Sequence, residues 1–262
     1  MEVKMKTILV TGSSGGLGSE LLPKLVMAGF SVRATSRHRP GHPTISWLPS
    51  DMESGQGLAQ AVAGVDTILH AASSPFRKVK EIDVEGTQRL LSLAQAAGVS
   101  HFIYVSIVGI DQVPLAYYRQ KLAAEQLIQK GPLPWTIVRA TQFHTLIDYF
   151  LATLTRFPLA FLPADFKFQP IDTGEVADYL AVTAGRDPSY QIENIGGPEV
   201  LELGQMAGRW LAVRQLRRWM LPMPLPGKIG AAYRSGRNTI PEQPYGQLTW
   251  DHWLQRRYGQ AR

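Results

Sequence analysis

The sequence predicts a doubly wound α/β fold: a parallel sheet covered by helices on both faces, followed by a smaller, mainly helical C-terminal lobe. Three observations carry this. Apolar runs of strand length alternate with segments of helical period through the first half of the chain. The first run opens directly into a glycine-rich stretch. Each of the first four helical segments stops near a glycine (Gly29, Gly64, Gly98, Gly131), where a left-handed cap needs one.

Taken in order, strands are predicted at Thr7 to Thr11, Ser31 to Thr35, Thr44 to Leu48, Thr67 to Ala71, His101 to Ser106 and Trp135 to Arg139. Helices are predicted between them at about Gly16 to Ala28, Gly55 to Ala63, Val79 to Ala97 and Leu115 to Gln129. After Arg139 the rhythm changes to a helical stretch near Thr145 to Thr155 and then a proline-interrupted segment from Phe157 to Pro163. The string Leu221-Pro222-Met223-Pro224-Leu225-Pro226-Gly227 excludes a central strand or a helix interior. The tail from Thr249 reads as a short amphipathic helix anchored by Trp250 and Trp253. The organisation expected is a nucleotide-binding core over 1–140 and a lobe over 141–262, partly interleaved with it.

Composition narrows the function classes. With 262 residues, 45% apolar and 18% charged, the chain buries a large core and is not disordered. Zero cysteines exclude a disulfide scaffold, a thiolate metal site and a cysteine nucleophile, and point to a cytoplasmic home. Apolar residues never run to the roughly 18 that a membrane span needs. The best stretch, Phe143 to Leu162, carries Asp148 and Arg156, and Ile8-Leu9-Val10 is too short for a signal-peptide core. Six histidines give no metal set: His38 and His42 are four apart, but Pro40 and Gly41 lie between them. Hydrolase chemistry finds no nucleophile elbow. The net charge of +6 resides at the C-terminal end, where residues 201–262 hold 10 Lys/Arg against 3 Asp/Glu. That patch is read as a solvated face and no nucleic-acid partner is expected, although Trp210, Trp219 and the arginines from Arg214 to Arg218 could stack on bases.

The segment Thr11-Gly12-Ser13-Ser14-Gly15-Gly16-Leu17-Gly18 sits between the first strand and the first helix. A chain that turns here without Cβ atoms in the way brings free N–H groups of a helix N-terminus up to a pyrophosphate. Gly12, Gly15 and Gly18 hold the three glycine positions, with one residue more between the first two than in G-x-G-x-x-G. Which dinucleotide binds is decided about 20 residues on, where an acid would take the ribose 2′-hydroxyl of NAD. The sequence there is Thr35-Ser36-Arg37-His38-Arg39, so a guanidinium and hydroxyls face a 2′-phosphate and NADP, with NADPH preferred over NADH, is the expected cofactor.

These residues resemble the short-chain dehydrogenase/reductase superfamily, in its atypical NmrA-like branch with a Rossmann-type core. The resemblance rests on the Thr-Gly-x-x-Gly-x-x-Gly loop at 11–18, Asp51-Met52, His70-Ala71-Ala72-Ser73, Tyr117-x-x-x-Lys121, Arg139-Ala140-Thr141-Gln142-Phe143 and Ile171-Asp172-Thr173-Gly174-Glu175-Val176-Ala177. It implies Asp51 and Met52 beside the adenine, Ala71, Ala72 and Ser73 along the ribose and pyrophosphate, and Ala140, Thr141 and Phe143 beside the nicotinamide.

The resemblance also makes Tyr117 and Lys121 the catalytic pair. Four residues apart on one helix, they share a face. A phenol of pKa near 10 is a poor acid at neutral pH, and an ammonium beside it lowers that value while also holding the nicotinamide ribose. Tyr117 would then protonate a carbonyl oxygen as hydride arrives. Ser106 is the candidate third member, at the end of the fifth strand; Ile107 and Val108 fill the next places, where the hydroxyl of family members often stands. His144 belongs either to a substrate cleft or to the core. Tyr149, Phe150, Phe157, Phe161, Phe166 and Phe168 supply either a substrate wall or core packing. The expectation is an NADPH-dependent oxidoreductase acting on a small apolar molecule; the alternative is a non-catalytic NADP(H)-binding sensor or assembly factor.

Overall fold

The computed structural model describes residues 5–37, 44–75 and 77–259. His38, Arg39 and His42 lie outside them. In chain order the elements are β1 (Thr7–Thr11), α1 (Gly16–Met27), β2 (Ser31–Ser36), β3 (Ser46–Pro49), α2 (Leu58–Val62) and β4 (Thr67–His70). A π-helical turn (Lys80–Glu85) then runs into α3 (Gly86–Ala96), followed by β5 (His101–Ile107), α4 (Ala116–Lys130), β6 (Trp135–Ala140) and α5 (His144–Leu154). The remainder holds β7 (Leu159–Leu162), β8 (Lys167–Phe168), α6 (Thr173–Gly185), β9 (Ile192–Ile195), β10 (Leu201–Glu202), α7 (Leu203–Val213), β11 (Trp219–Pro222), α8 (Gly227–Arg234) and α9 (Trp250–Tyr258).

A parallel sheet is ordered β3-β2-β1-β4-β5-β6-β9. The order reverses between β1 and β4, and the crevice at the carboxyl ends of such a pair is where doubly wound folds take ligands. Ile8 pairs with both Val32 and Thr67, so β1 is central and its Ile8, Leu9 and Val10 are fully buried. Six strands were expected and the sheet has seven. The added strand, Ile192-Glu193-Asn194-Ile195, is a short edge with a polar middle and carries no apolar run.

Two further expectations change. The helix expected from Val79 to Ala97 begins instead with the π-helical turn, entered through Lys78 at φ 51°. Gly29, Gly64 and Gly98 do adopt positive φ, but Gly131 does not. Its N–H closes a tight turn onto Ile128 O at 3.1 Å, so α4 ends without a left-handed cap.

The chain divides into two compact units. The first takes Met1–Ser106, Arg119–Val138 and Val176–Glu193, and centres on Leu9, Leu58, Leu90, Phe102, Ile128 and Ile137 between the sheet and its helices. The second takes Ile107–Tyr118, Arg139–Glu175 and Asn194–Arg262. Within it β8 pairs antiparallel with β10, and β7 pairs in parallel with β11. Its core stacks His144 on Trp250 and Trp253, while Asp148 accepts Trp210 Nε1–H at 2.6 Å. His144 is therefore a core residue, and Trp210 is fully buried.

Candidate dinucleotide site

The loop after β1 admits no side chains at two of its glycines. Gly12 has φ +72°, and a Cβ there would lie 2.6 Å from Ala72 N and 2.7 Å from Ala71 O. A Cβ at Gly18 would lie 2.3 Å from Gly12 O. The first glycine thus lets β1 and the strand-end at Ala71 converge, and the third lets α1 pack on the loop. The turn is closed by Gly15 N–H donating to Gly12 O at 3.0 Å, and Ser13 Oγ donates to Val10 O at 2.7 Å. Gly15 precedes α1 with no side-chain cap, and no acid occupies the first turn. The N–H groups of Gly16, Leu17 and Gly18 have no intrahelical acceptor, so this end of α1 suits a phosphate.

Beside the loop lies a cleft of about 510 Å³, lined by Gly12, Ser14 and Gly15, by Ser36 and Arg37, by Asp51 and Met52, and by Ala71, Ala72 and Ser73. Those ten are predicted binding residues. Gly16, Leu17 and Gly18 start the helix next to the cleft without lining it, and Leu17 and Gly18 are buried. The cleft also includes Thr35, one of the hydroxyls expected near the 2′-phosphate, and Ser50, Glu53, Ser74, Arg77, Lys78 and Ile82, which sequence reasoning did not assign. Arg77-Lys78 was a readable signal, as a basic pair four residues after Ser73. Lys78 is bound to Glu53, whereas Arg37 and Arg77 bring exposed guanidinium groups to the wall.

Behind this wall a buried polar chain holds the strand-end residues. Thr87 Oγ1 donates to Asp83 O at 2.7 Å, so it accepts from His70 Nε2–H at 2.9 Å, which leaves His70 Nδ1 to accept from Thr11 Oγ1 at 2.6 Å. Thr11 Oγ1 in turn takes Ala72 N–H at 3.4 Å. Burial, reinforced by the positive charge of Lys121, lowers the His70 pKa to about 3, so the imidazole is neutral as this chain requires. The Asp83 carboxylate accepts from Ser73 Oγ at 2.5 Å and Ser74 N–H at 3.0 Å.

Lys121 is buried among the same groups. Its ammonium donates to Val105 O at 2.8 Å, stands 3.9 Å from Asp83 Oδ1 and lies 4.1 Å above the Tyr104 ring. Burial lowers its pKa to about 8, opposed by Asp83 and Glu125. Ser106 is also buried, and its hydroxyl has no hydrogen-bond partner among the described residues. Neither residue lines the cleft.

The remaining candidates belong to the second unit. Tyr117 is half-buried, with its ring 6.1 Å from that of Tyr118. Tyr118 is buried, its hydroxyl 3.5 Å from that of Tyr233, and burial holds its pKa well above 10. Ala140 O accepts Val108 N–H, Thr141 Oγ1 accepts Gly197 N–H, and Phe143 precedes α5 and bridges to Ile171. Among the described residues no cluster of three or more His, Asp or Glu could hold a metal ion.

A cleft with this loop at the reversal of strand order is where a doubly wound protein takes a dinucleotide, and that is the class to which the chain belongs. Its residues 12–148 match the family described as NAD(P)H-binding, and the chain is a member of that family. A short-chain dehydrogenase/reductase superfamily protein of Agrobacterium tumefaciens with bound NAD superposes with a TM-score of 0.73 at 20% identity, over 97% of this chain and 96% of that one. An NADPH-dependent quinone oxidoreductase of Escherichia coli complexed with NADPH superposes with a TM-score of 0.77 at 16% identity, over 96% of this chain and 99% of that one. The epimerase Mth375 of Methanothermobacter thermautotrophicus gives 0.78 at 17%, over 97% and 91%. In sequence, the photosystem II assembly factor Ycf39 of Trieres chinensis is 24% identical across 92% of this chain and 81% of its own length. A 3-beta-hydroxysteroid dehydrogenase of Mycolicibacterium neoaurum is 35% identical over 114 residues, and the match spans 31% of that protein.

Proposed function

We propose that the chain is an NADPH-dependent oxidoreductase that delivers hydride to a carbonyl, quinone or similar group of a small apolar molecule. The observation that carries this is Lys121. An ammonium kept in the interior must be compensated, here by Val105 O and Asp83, and such a buried charge supports a functional role one helical turn from the half-buried Tyr117. In this reading the nicotinamide, when bound, supplies the hydride. Tyr117 would give its phenolic proton to the substrate oxygen, Lys121 would favour the phenolate left behind, and Ser106, whose hydroxyl has no partner among the described residues, is the candidate third member. Ala140, Thr141 and Phe143 border the nicotinamide. Arg37 and Arg77 favour the 2′-phosphate and hence NADPH over NADH.

A second reading, a cofactor-binding sensor or assembly factor, draws on the apolar Ile107 and Val108 beside Ser106 and on the assembly-factor relative. One experiment separates the two. Turnover of NADPH with a panel of quinones, aldehydes and ketones is expected in the wild type and should drop by about 10²- to 10⁴-fold in Tyr117→Phe, with cofactor affinity held. Tight NADPH binding without turnover on any acceptor would support the sensor. Turnover that survives Tyr117→Phe would make the tyrosine structural.

A further inference from the structure

The ribbon formed by β7 and β11 is apolar on the side where a water-facing strand pair is polar. Leu159 stands beside Trp219 and Phe161 beside Leu221, and the ladder is closed by Trp219 N–H to Pro158 O at 2.9 Å and Met223 N–H to Leu162 O at 2.8 Å. Ala160 and Leu162 point inward and are 5% and 2% exposed. The outward residues Leu159, Phe161, Trp219 and Leu221 are 47%, 51%, 75% and 40% exposed. Inward-apolar, outward-polar alternation is the rule for such strands; here the outward positions are apolar without exception, and exposed Phe157 and Met223 extend the patch.

The segments that form this face carry charge of one sign, while Arg209 and Arg234, outside the ribbon, pair with Asp251 and Asp165. Residues 203–241 contain seven Lys/Arg and no acid, and residues 149–164 contain Arg156 and no acid. Because the two strands run in parallel, both begin at the same end of the ribbon, and the exposed arginines that precede them, Arg156 before β7 and Arg217 and Arg218 before β11, gather there. Arg218 is fixed at that end by Nε–H donating to Thr155 O at 3.3 Å.

We infer that this face docks on the surface of an anionic membrane. Exposed Trp and Phe settle at the headgroup boundary, aliphatic side chains enter the acyl edge, and arginines pair with lipid phosphates. A twofold contact between copies would cover these arginines with segments that hold no acid to offset them. Nucleic acid would leave Leu159 and Leu221 in water.

Flotation of the full chain with vesicles tests this, using phosphatidylcholine alone or with about 30 mol % phosphatidylglycerol. Binding to the anionic vesicles is expected at low salt and should weaken as salt rises. Trp219→Ser with Phe161→Ser should lower partitioning by about 10- to 100-fold, and Arg217→Gln with Arg218→Gln by about 5-fold per charge. All four side chains are exposed and Arg218 gives up only its hydrogen bonds to Thr155 O and Arg217 O, so the variants should stay close to the wild-type melting temperature, which is measured alongside. Failure to float with anionic vesicles at low salt overturns the inference. So does flotation unchanged by Trp219→Ser with Phe161→Ser, or a wild-type dimer in solution that this variant converts to monomer.

Discussion

The cleft of the first unit and the ribbon of the second both gather arginines, but on opposite kinds of surface. Around Arg37 and Arg77 the wall is built largely from glycine, alanine and serine with the carboxylates Asp51 and Glu53, and Gly12 leaves no room for added atoms. Around Arg217 and Arg218 it is built from large apolar side chains standing in solvent. Positive charge alone does not name a ligand. The surface between the charges decides whether the partner is a compact polar phosphate or an extended apolar phase.

The largest effect separating the regions should come from adding one methyl group. Gly18→Ala drives a Cβ into backbone at 2.3 Å, and should cost about 3 kcal/mol and most of the NADPH affinity. Gly208→Ala in α7 meets nothing within 4 Å and should stabilise by about 0.5–1 kcal/mol. Thermal melts and NADPH titration of both variants check this; shifts of equal sign would show that the loop is not packed as described.

Next in size, Arg37→Ala and Arg77→Ala should each weaken NADPH by about 10- to 100-fold and leave NADH nearly unchanged, read by calorimetry. Equal losses for both cofactors would move these arginines from the 2′-phosphate to the pyrophosphate.

The smallest effect concerns one buried histidine in each unit. Burial lowers both His70 and His144 to about 3, while an unfolded histidine titrates near 6.5. Below pH 6.5 the unfolded chain therefore holds more protons, and stability falls with pH between 6.5 and 3, by about 1–2 kcal/mol per histidine at pH 5. The sites should differ when mutated. Neither ring nitrogen of His144 has a hydrogen-bond partner among the described residues, so His144→Leu should flatten the acid limb at little cost. His70→Leu strands Thr11 and Thr87 and should destabilise at every pH. Denaturant midpoints between pH 5 and 8 measure both.

The same contrast explains what the sequence made legible. The loop, Arg37, Asp51-Met52 and Ala71 to Ser73 could be read because each is set by a local backbone demand at a fixed distance from a strand end. Six of the seven strands of the sheet were likewise visible as apolar runs. Arg77 was missed because it depends on where a loop folds, and Asp83 because its neighbours come together only in three dimensions. The outward face of β7 and β11 was hidden for a different reason. Leu159, Phe161, Trp219 and Leu221 look like core residues in one dimension, and only the strand pairing shows which alternate set faces water.

The first unit draws its last piece from Val176–Glu193, after the chain has already supplied two segments of the second. During synthesis the nucleotide-binding sheet therefore lacks β9 until about three quarters of the chain has left the ribosome. Until then β6 presents a row of unpaired N–H and C=O groups, a template for pairing with another nascent chain. A truncation near residue 140 would make that condition permanent, and such a fragment should aggregate although it contains the whole glycine loop.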